Sequence, residues 1–172
     1  MPFFGKIRNC DMFVLLTECQ FEKNGYQNRF RFDEQWYTMR VSHGLDPIRY
    51  KSYMQPHFDW ERIKRTVPGG AALSIFDDCI SGALVETNAA IIRTTCKLLG
   101  INTPIGADFP TTKRKTERLV EICQTYKATE YLSGPSGKGY LDMEAFDKAG
   151  IKIVFTENET ADRRALVEVL GE

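Results

Sequence analysis

Apolar and polar positions divide the first part of the chain at residue 16. Met12, Phe13, Val14, Leu15 and Leu16 form an unbroken apolar run, the pattern of a strand buried on both faces. Thr17, Glu18 and Gln20 follow, and then Lys23, Asn24, Gln27, Asn28, Arg29 and Arg31. A buried strand that feeds an acid, amides and cations into one loop marks a candidate site, because ligands in open α/β sheets sit outside the carboxyl ends of the strands. Residues 27–32 and 35–41 predict two further strands, with Asp33-Glu34 as the tight turn between them. Asn28, Phe30 and Phe32 alternate with Gln27, Arg29 and Arg31, so one face is mostly aromatic and the other amide and cationic.

The remaining pattern is mainly helical. Residues 3–9 predict a short helix leading into the buried strand. Residues 58–66 predict another, with Asp59 as N-cap and Pro68-Gly69-Gly70 as its stop. Between residues 78 and 99, Ile80, Leu84, Ala89, Ile91, Ile92, Cys96 and Leu99 make an apolar stripe at helical spacing, and Gly100 suits the C-cap. A connection containing Pro104 and Pro110 follows. Thr111-Thr112 then predicts the cap of a helix reaching residue 127. Its opening cations, Lys113, Arg114, Lys115 and Arg118, oppose the helix dipole, and an anionic partner would relieve them.

Residues 130–133 predict a strand, 134–139 a glycine-rich turn, 142–149 a helix ended by Gly150, 151–155 a strand and 161–170 a terminal helix. Residues 42–58 read as an irregular, solvated loop broken by Gly44, Pro47 and Pro56. Strand–helix–strand alternation with an early hairpin predicts an α/β fold. The expected form is a single three-layer-like domain over residues 1–172, with a mainly parallel sheet and an inserted β-hairpin.

Composition narrows the function classes. With 172 residues, the chain is long enough for one core. Its 23 basic and 23 acidic side chains give zero net charge. That does not favour nucleic acid as a partner held by a general field, although a local basic patch remains compatible. No apolar run approaches the ~20 residues of a membrane span, and no basic, then apolar leader is visible at the start. A cytoplasmic protein with no membrane partner is expected. Cys10, Cys19, Cys79, Cys96 and Cys123 are odd in number and include no C-x-x-C pair, which predicts reduced, buried thiols. His43 and His57 lack ligand-like spacing to any cysteine pair, so neither a metal nor another cofactor is expected. The segment Gly134-Pro-Ser-Gly-Lys-Gly139 is not a Walker loop. Two residues rather than four separate Gly134 from Gly137, and Gly139 stands where Ser or Thr would follow the lysine. Such a loop can still hold an anion through its amides.

Asp11-x-Phe13-Val14-x-Leu16, Gln20-Phe21-x-Lys23 and Gln27-Asn28-Arg29 resemble the WbqC-like family. Trp36-x-Thr38, residues 98–103, and Tyr131-Leu132-Ser133-Gly134 with Tyr140-Leu141-Asp142 are similar to its later segments. The resemblance covers residues 3–155. Relatives usually begin with a further strand and a His-Gln-Pro segment, where this chain starts Met1-Pro2-Phe3-Phe4. They also tend to carry an Asp pair where Thr17-Glu18 stands here. The family is associated with bacterial surface-polysaccharide gene clusters. The resemblance therefore implies a small-group transferase that attaches an amino-acid or acyl group to a phosphate- or nucleotide-activated acceptor such as an amino sugar. In that reading Glu18 is the general base, and Lys138 and Asp142 complete the catalytic set. Gln20, Lys23, Gln27, Asn28, Arg29 and Arg31 bind the substrate from the first strand's loop. Lys115, Arg118, Tyr131, Ser133, Gly134 and Tyr140 bind it from the second half.

Two other readings stand beside it. The acceptor can instead be a pyrophosphorylated base in DNA, for which Arg29, Arg31 and residues 113–115 argue. Alternatively, the chain is a non-catalytic ligand-binding or assembly subunit. The sheet edge left by the absent first strand makes a homo-oligomer plausible.

Overall fold

The computed structural model describes residues 2–156, with side chains from Phe3 onward. Helix α1 (Pro2–Arg8) leads into strand β1 (Phe13–Leu15), and a long loop then reaches β2 (Arg29–Phe32) and β3 (Gln35–Thr38). Helix α2 (Pro56–Thr66), a 3₁₀ run (Gly70–Cys79) and helix α3 (Leu84–Leu98) follow. The chain continues as β4 (Ile105–Ala107), α4 (Lys115–Thr125), β5 (Glu130–Ser133), α5 (Met143–Lys148) and β6 (Lys152–Phe155). The terminal helix expected at 161–170 lies outside the described residues.

The fold is mixed α/β, with parallel pairing and the early hairpin both present. The parallel strands are divided between two pairs, β1–β4 and β5–β6, and β2–β3 forms the antiparallel hairpin. Strand β4 is not legible in the sequence. It is three residues long, Ile-Gly-Ala, and stands directly after Pro104. Gly106 within it is required by a close approach: a Cβ there would lie 2.6 Å from the Tyr126 hydroxyl, which donates to the Ala107 carbonyl at 2.7 Å. In the hairpin, Asp33 and Glu34 both take positive φ, 43° and 64°, matching the twist of a two-residue turn. Phe30, Phe32 and Tyr37 face a core shared with Trp60 and Ile63 of α2 and Leu84 of α3. Arg29, Arg31 and Trp36 face outward. A second core joins Val120 and Cys123 of α4 to Phe146 and the inner side of β5–β6. A third packs Ile7 against Cys96, Ile101 and partly buried Phe13 and Ile105.

Three helical expectations are corrected. The helix expected from 78 to 99 is a 3₁₀ run and α3, separated at residues 80–83, because Ser81 and Gly82 interrupt the stripe and the Ser81 N–H bonds the Thr87 hydroxyl instead. The cap expected at Thr111-Thr112 falls at Arg114; Thr111 pairs through its hydroxyl with Glu121. Helix α2 begins at Pro56, whose fixed φ suits a first helical turn. Asp59 therefore lies inside α2, where its buried carboxylate takes the Arg40 backbone N–H at 2.8 Å and a two-pronged Arg40 guanidinium contact. Burial alone would push the Asp59 carboxyl up, but Arg40, with Arg62 beside it, holds it below the ordinary 3.8. A depressed carboxyl stabilises the fold fully at neutral pH and loses that contribution as pH falls through its folded value. Asp59→Asn is thus expected to be less stable at pH 7 and to show a shallower loss of stability between about pH 5 and pH 2. Urea unfolding followed across that range, with Trp60 as reporter, checks it; a slope equal to wild type would contradict the assignment.

The five cysteines are free thiols; Cys96 and Cys123 are buried and the other three half-buried. Among the described residues, no helix is long and apolar enough to cross a membrane.

Candidate functional site

The carboxyl ends of β1 and β4 lie side by side, since Leu15 pairs with Ala107 in register. The residues leaving both strands meet there. Asp108, immediately after β4, has a fully buried carboxylate. Its Oδ1 accepts the Thr17 N–H at 2.7 Å, the Thr17 hydroxyl at 3.0 Å and the Glu18 N–H at 3.1 Å. Its Oδ2 takes Arg118, one turn into α4. The Arg118 side chain is 14% exposed, and its Nε is buried with no hydrogen-bond partner among the described residues. Such an orphaned guanidinium donor is costly unless a ligand or water satisfies it.

Glu18 is held on its other side. The 3₁₀ turn Ile48–Tyr50 docks on the loop through two backbone bonds, Ile48 N–H to the Cys19 carbonyl at 2.8 Å and Arg49 N–H to the Thr17 carbonyl at 2.9 Å. That docking delivers the Arg49 guanidinium to the Glu18 carboxylate. Glu18 is 11% exposed and Arg49 39%, so the pair forms the open side of the cluster. Burial pushes the half-buried Cys19 thiol up; Arg118 opposes this, and Asp108 and Glu18 add to it. Cys19 is therefore a thiol rather than a ready thiolate nucleophile at neutral pH.

The end of β5 carries a second candidate loop. The glycine-rich segment after β5 is a 3₁₀ turn, Pro135–Gly139. Ser133 is buried, and a Cβ on Gly137 would meet its Oγ at 2.1 Å, so only glycine fits there. Helix α4 reaches the connections that follow both strands: Arg118 contacts Asp108, and the Thr116 hydroxyl accepts the N–H of Asp142, the N-cap of α5, at 3.0 Å.

The structure places the sequence-predicted residues in several surroundings. Glu18 and Arg118 belong to the β1–β4 cluster. Gln20 is exposed and bridges to Pro47, and Lys23 is exposed. Gln27 accepts the Glu22 N–H, while Asn28 closes the hairpin by donating to the Met39 carbonyl at 2.8 Å. Arg29 staples its own loop, donating to the Gly25 and Asn24 carbonyls, and stacks 3.9 Å from the centre of Trp36. Arg31 is half exposed and loosely paired with Glu34 at 3.8 Å. Lys115 is exposed, with φ of 49°. Tyr131 stacks on Phe146 at 5.0 Å, and burial pushes its hydroxyl up to about 12, with Tyr140 and Cys123 adding to the rise. Asp142 caps α5 by accepting the Ala145 N–H at 3.2 Å. Lys138 lies 5.2 Å over the Phe155 ring, and Tyr140 is 66% exposed. Gly134 carries no Cβ beneath the Lys6 ammonium.

Asp108 and Arg49 escaped the sequence reading. The signal for Asp108 would have been an acid directly after a strand, but β4 was not visible. Arg49 reads as a solvated loop residue until the backbone docking is seen. Among the described residues, no group of three His, Cys, Asp or Glu side chains is placed to hold a metal.

An α/β fold with polar strand ends of this composition defines the class. The chain belongs to the WbqC-like protein family, whose pattern matches residues 1–52 and 73–163. Of the two unmatched stretches, 53–72 and 164–172, the first contains α2. The chain is also similar to Uncharacterized protein Rv1507c of Mycobacterium tuberculosis (strain ATCC 25618 / H37Rv), 27% identical over 173 residues, covering 89% of this chain and 75% of that protein. No solved structure matches it.

Proposed function

We propose that the protein is a small-group transferase that attaches an amino-acid or acyl group to a phosphate- or nucleotide-activated acceptor such as an amino sugar. The observation that carries this reading is the Glu18–Arg49 and Asp108–Arg118 constellation at the carboxyl ends of β1 and β4, with the Arg118 Nε donor unfilled. A guanidinium with a spare N–H suits a carboxylate or phosphate oxygen. Glu18 is the one carboxylate of the cluster that is not saturated by backbone donors, and it serves as general base. It takes a proton from the incoming amine or hydroxyl. That atom's lone pair forms the new bond to the activated carbon, and the carbon–oxygen bond breaks with its electrons going to the departing phosphate, pyrophosphate or nucleoside phosphate. Arg49 holds the Glu18 carboxylate in place.

The test is release of the nucleoside phosphate from nucleotide-activated amino sugars, or of phosphate from sugar phosphates, in the presence of free amino acids, with the product followed by mass. Glu18→Gln is expected to slow the transfer about a hundredfold while leaving substrate affinity within a few-fold. Equal rates in the variant and wild type would overturn the role of Glu18.

One observation favours a second reading, an activated base in DNA as the acceptor. Exposed Tyr26, in the loop before β2, packs at a tilt on Trp36 of the hairpin's outward face at 5.1 Å, with Arg29 over the same indole. Aromatic–cation faces of this kind stack bases. Quenching of Trp36 fluorescence by an oligonucleotide, weakening steeply with salt, would support that acceptor.

A further inference from the structure

We propose that Lys6 completes a separate anion subsite on the 133–139 loop, and that this subsite receives the phosphate groups of whichever phosphate, pyrophosphate or nucleoside phosphate leaves the activated acceptor. The leaving-group role rests on the transferase reading; the anion site itself does not. Lys6 comes from α1, far from this loop in sequence, yet its Nζ lies 2.9 Å from where a Cβ on Gly134 would stand. The glycine is thus what lets the ammonium approach the loop backbone.

Lys6 is half-buried, and among the described residues its ammonium has no carboxylate within salt-bridge distance and no hydrogen-bond acceptor. Lys138, in the same loop, likewise has no carboxylate partner among those residues, and its ammonium rests over the Phe155 ring at 5.2 Å. The adjacent acid, Asp142, is engaged by the Ala145 N–H. The Gly134 and Ser136 amides donate to no acceptor among the described residues.

The contrast with the β1–β4 cluster decides the assignment. There each guanidinium faces its own carboxylate, Arg49 with Glu18 and Arg118 with Asp108. At the 133–139 loop the Lys6 and Lys138 ammonium groups and the Gly134 and Ser136 amides have no protein anion to balance them among the described residues. A compact, strongly charged anion supplies what is missing, and lysine ammonium groups with backbone amides suit phosphate as point-charge and directional donors. Helix α4 holds Asp108 after β4 through Arg118 and Asp142, which follows the glycine-rich turn, through Thr116.

The experiment is calorimetric titration of the full chain with inorganic pyrophosphate and, separately, inorganic phosphate. Both are followed in wild type and in Lys6→Gln, Lys6→Arg, Gly134→Ala and Arg118→Gln, with circular dichroism confirming the fold of each. The expected result is binding that weakens about tenfold or more in Lys6→Gln, is largely kept in Lys6→Arg, and weakens in Gly134→Ala, whose new methyl displaces the ammonium. No pyrophosphate binding by folded wild type would overturn the proposal. So would wild-type affinity in Lys6→Gln. Loss confined to Arg118→Gln would also overturn it, and would place the anion at the Glu18 end, leaving the transferase reading intact. Lys6-dependent binding in the titration, beside no transfer in the separate activity assay, would overturn the leaving-group role and the transferase reading while upholding the site.

Discussion

Asp108→Ala is expected to destabilise the fold by about 3–5 kcal/mol, the cost of breaking a buried ion pair by removing one partner. The carboxylate is fully buried and does two jobs. It gathers three donors from residues 17 and 18 at 2.7–3.1 Å, and it neutralises Arg118. Without it, two backbone N–H groups lose their acceptor, and a guanidinium whose Nε has no partner among the described residues loses its counter-charge. Asp108→Asn keeps one carbonyl oxygen for the Thr17 and Glu18 donors, so its loss should be smaller. The double variant Asp108→Ala/Arg118→Met removes both charges and should recover part of the loss, a coupling that a double-mutant cycle isolates. Urea unfolding by tryptophan fluorescence measures all three. A loss below about 1 kcal/mol for Asp108→Ala would show that the pair behaves as a solvated one.

The parts of this arrangement that could be read from sequence are those written in consecutive residues. The apolar run before Thr17 and the alternation of Phe30 and Phe32 with Arg29 and Arg31 carry their periods locally, and the α/β class and hairpin follow. Gly100 and Gly150 also mark helix ends where expected, with φ of 64° and 69°. What was not legible depends on partners far along the chain. β4 is too short to show a period, so nothing marks Asp108 as the acid that completes a site built 90 residues earlier. Asp59 has the composition of an N-cap, but Pro56 starts the helix one turn sooner and the carboxylate turns to Arg40 instead. Arg29 and Arg31 do share a face, as alternation requires. Yet alternation cannot show that Arg29's donors are spent on its own loop and its plane on Trp36. The polar residues at strand ends were found from sequence; which of them remain free to meet a ligand depends on tertiary contacts.

Lys51→Met is expected to cost about 2–4 kcal/mol and to loosen the β1–β4 cluster at the same time. The Lys51 side chain is fully buried. Its ammonium donates to the Ser42, His43 and Gly44 carbonyls at 3.1, 3.1 and 2.7 Å, with Asp46 at 3.6 Å. Three carbonyls converging on one ammonium hold the 42–46 segment in a tight curve, in which Gly44 takes φ of 97°. Methionine fills the volume but donates nothing, so those oxygens must either remain unsatisfied or swing toward water, and the curve opens. The consequence reaches the site through the backbone. The Asp46 carbonyl accepts the Phe21 N–H at 3.1 Å, and the turn that follows carries Arg49 to Glu18. Amide hydrogen exchange should therefore accelerate at Phe21, Ile48 and Arg49 in the variant, while amides in the α5–β6 region change only as far as global stability falls. Unchanged exchange at Ile48 and Arg49, beside a measurable loss of stability, would mean that Lys51 serves the fold alone and that Arg49 is positioned by the Thr17 and Cys19 carbonyls without it.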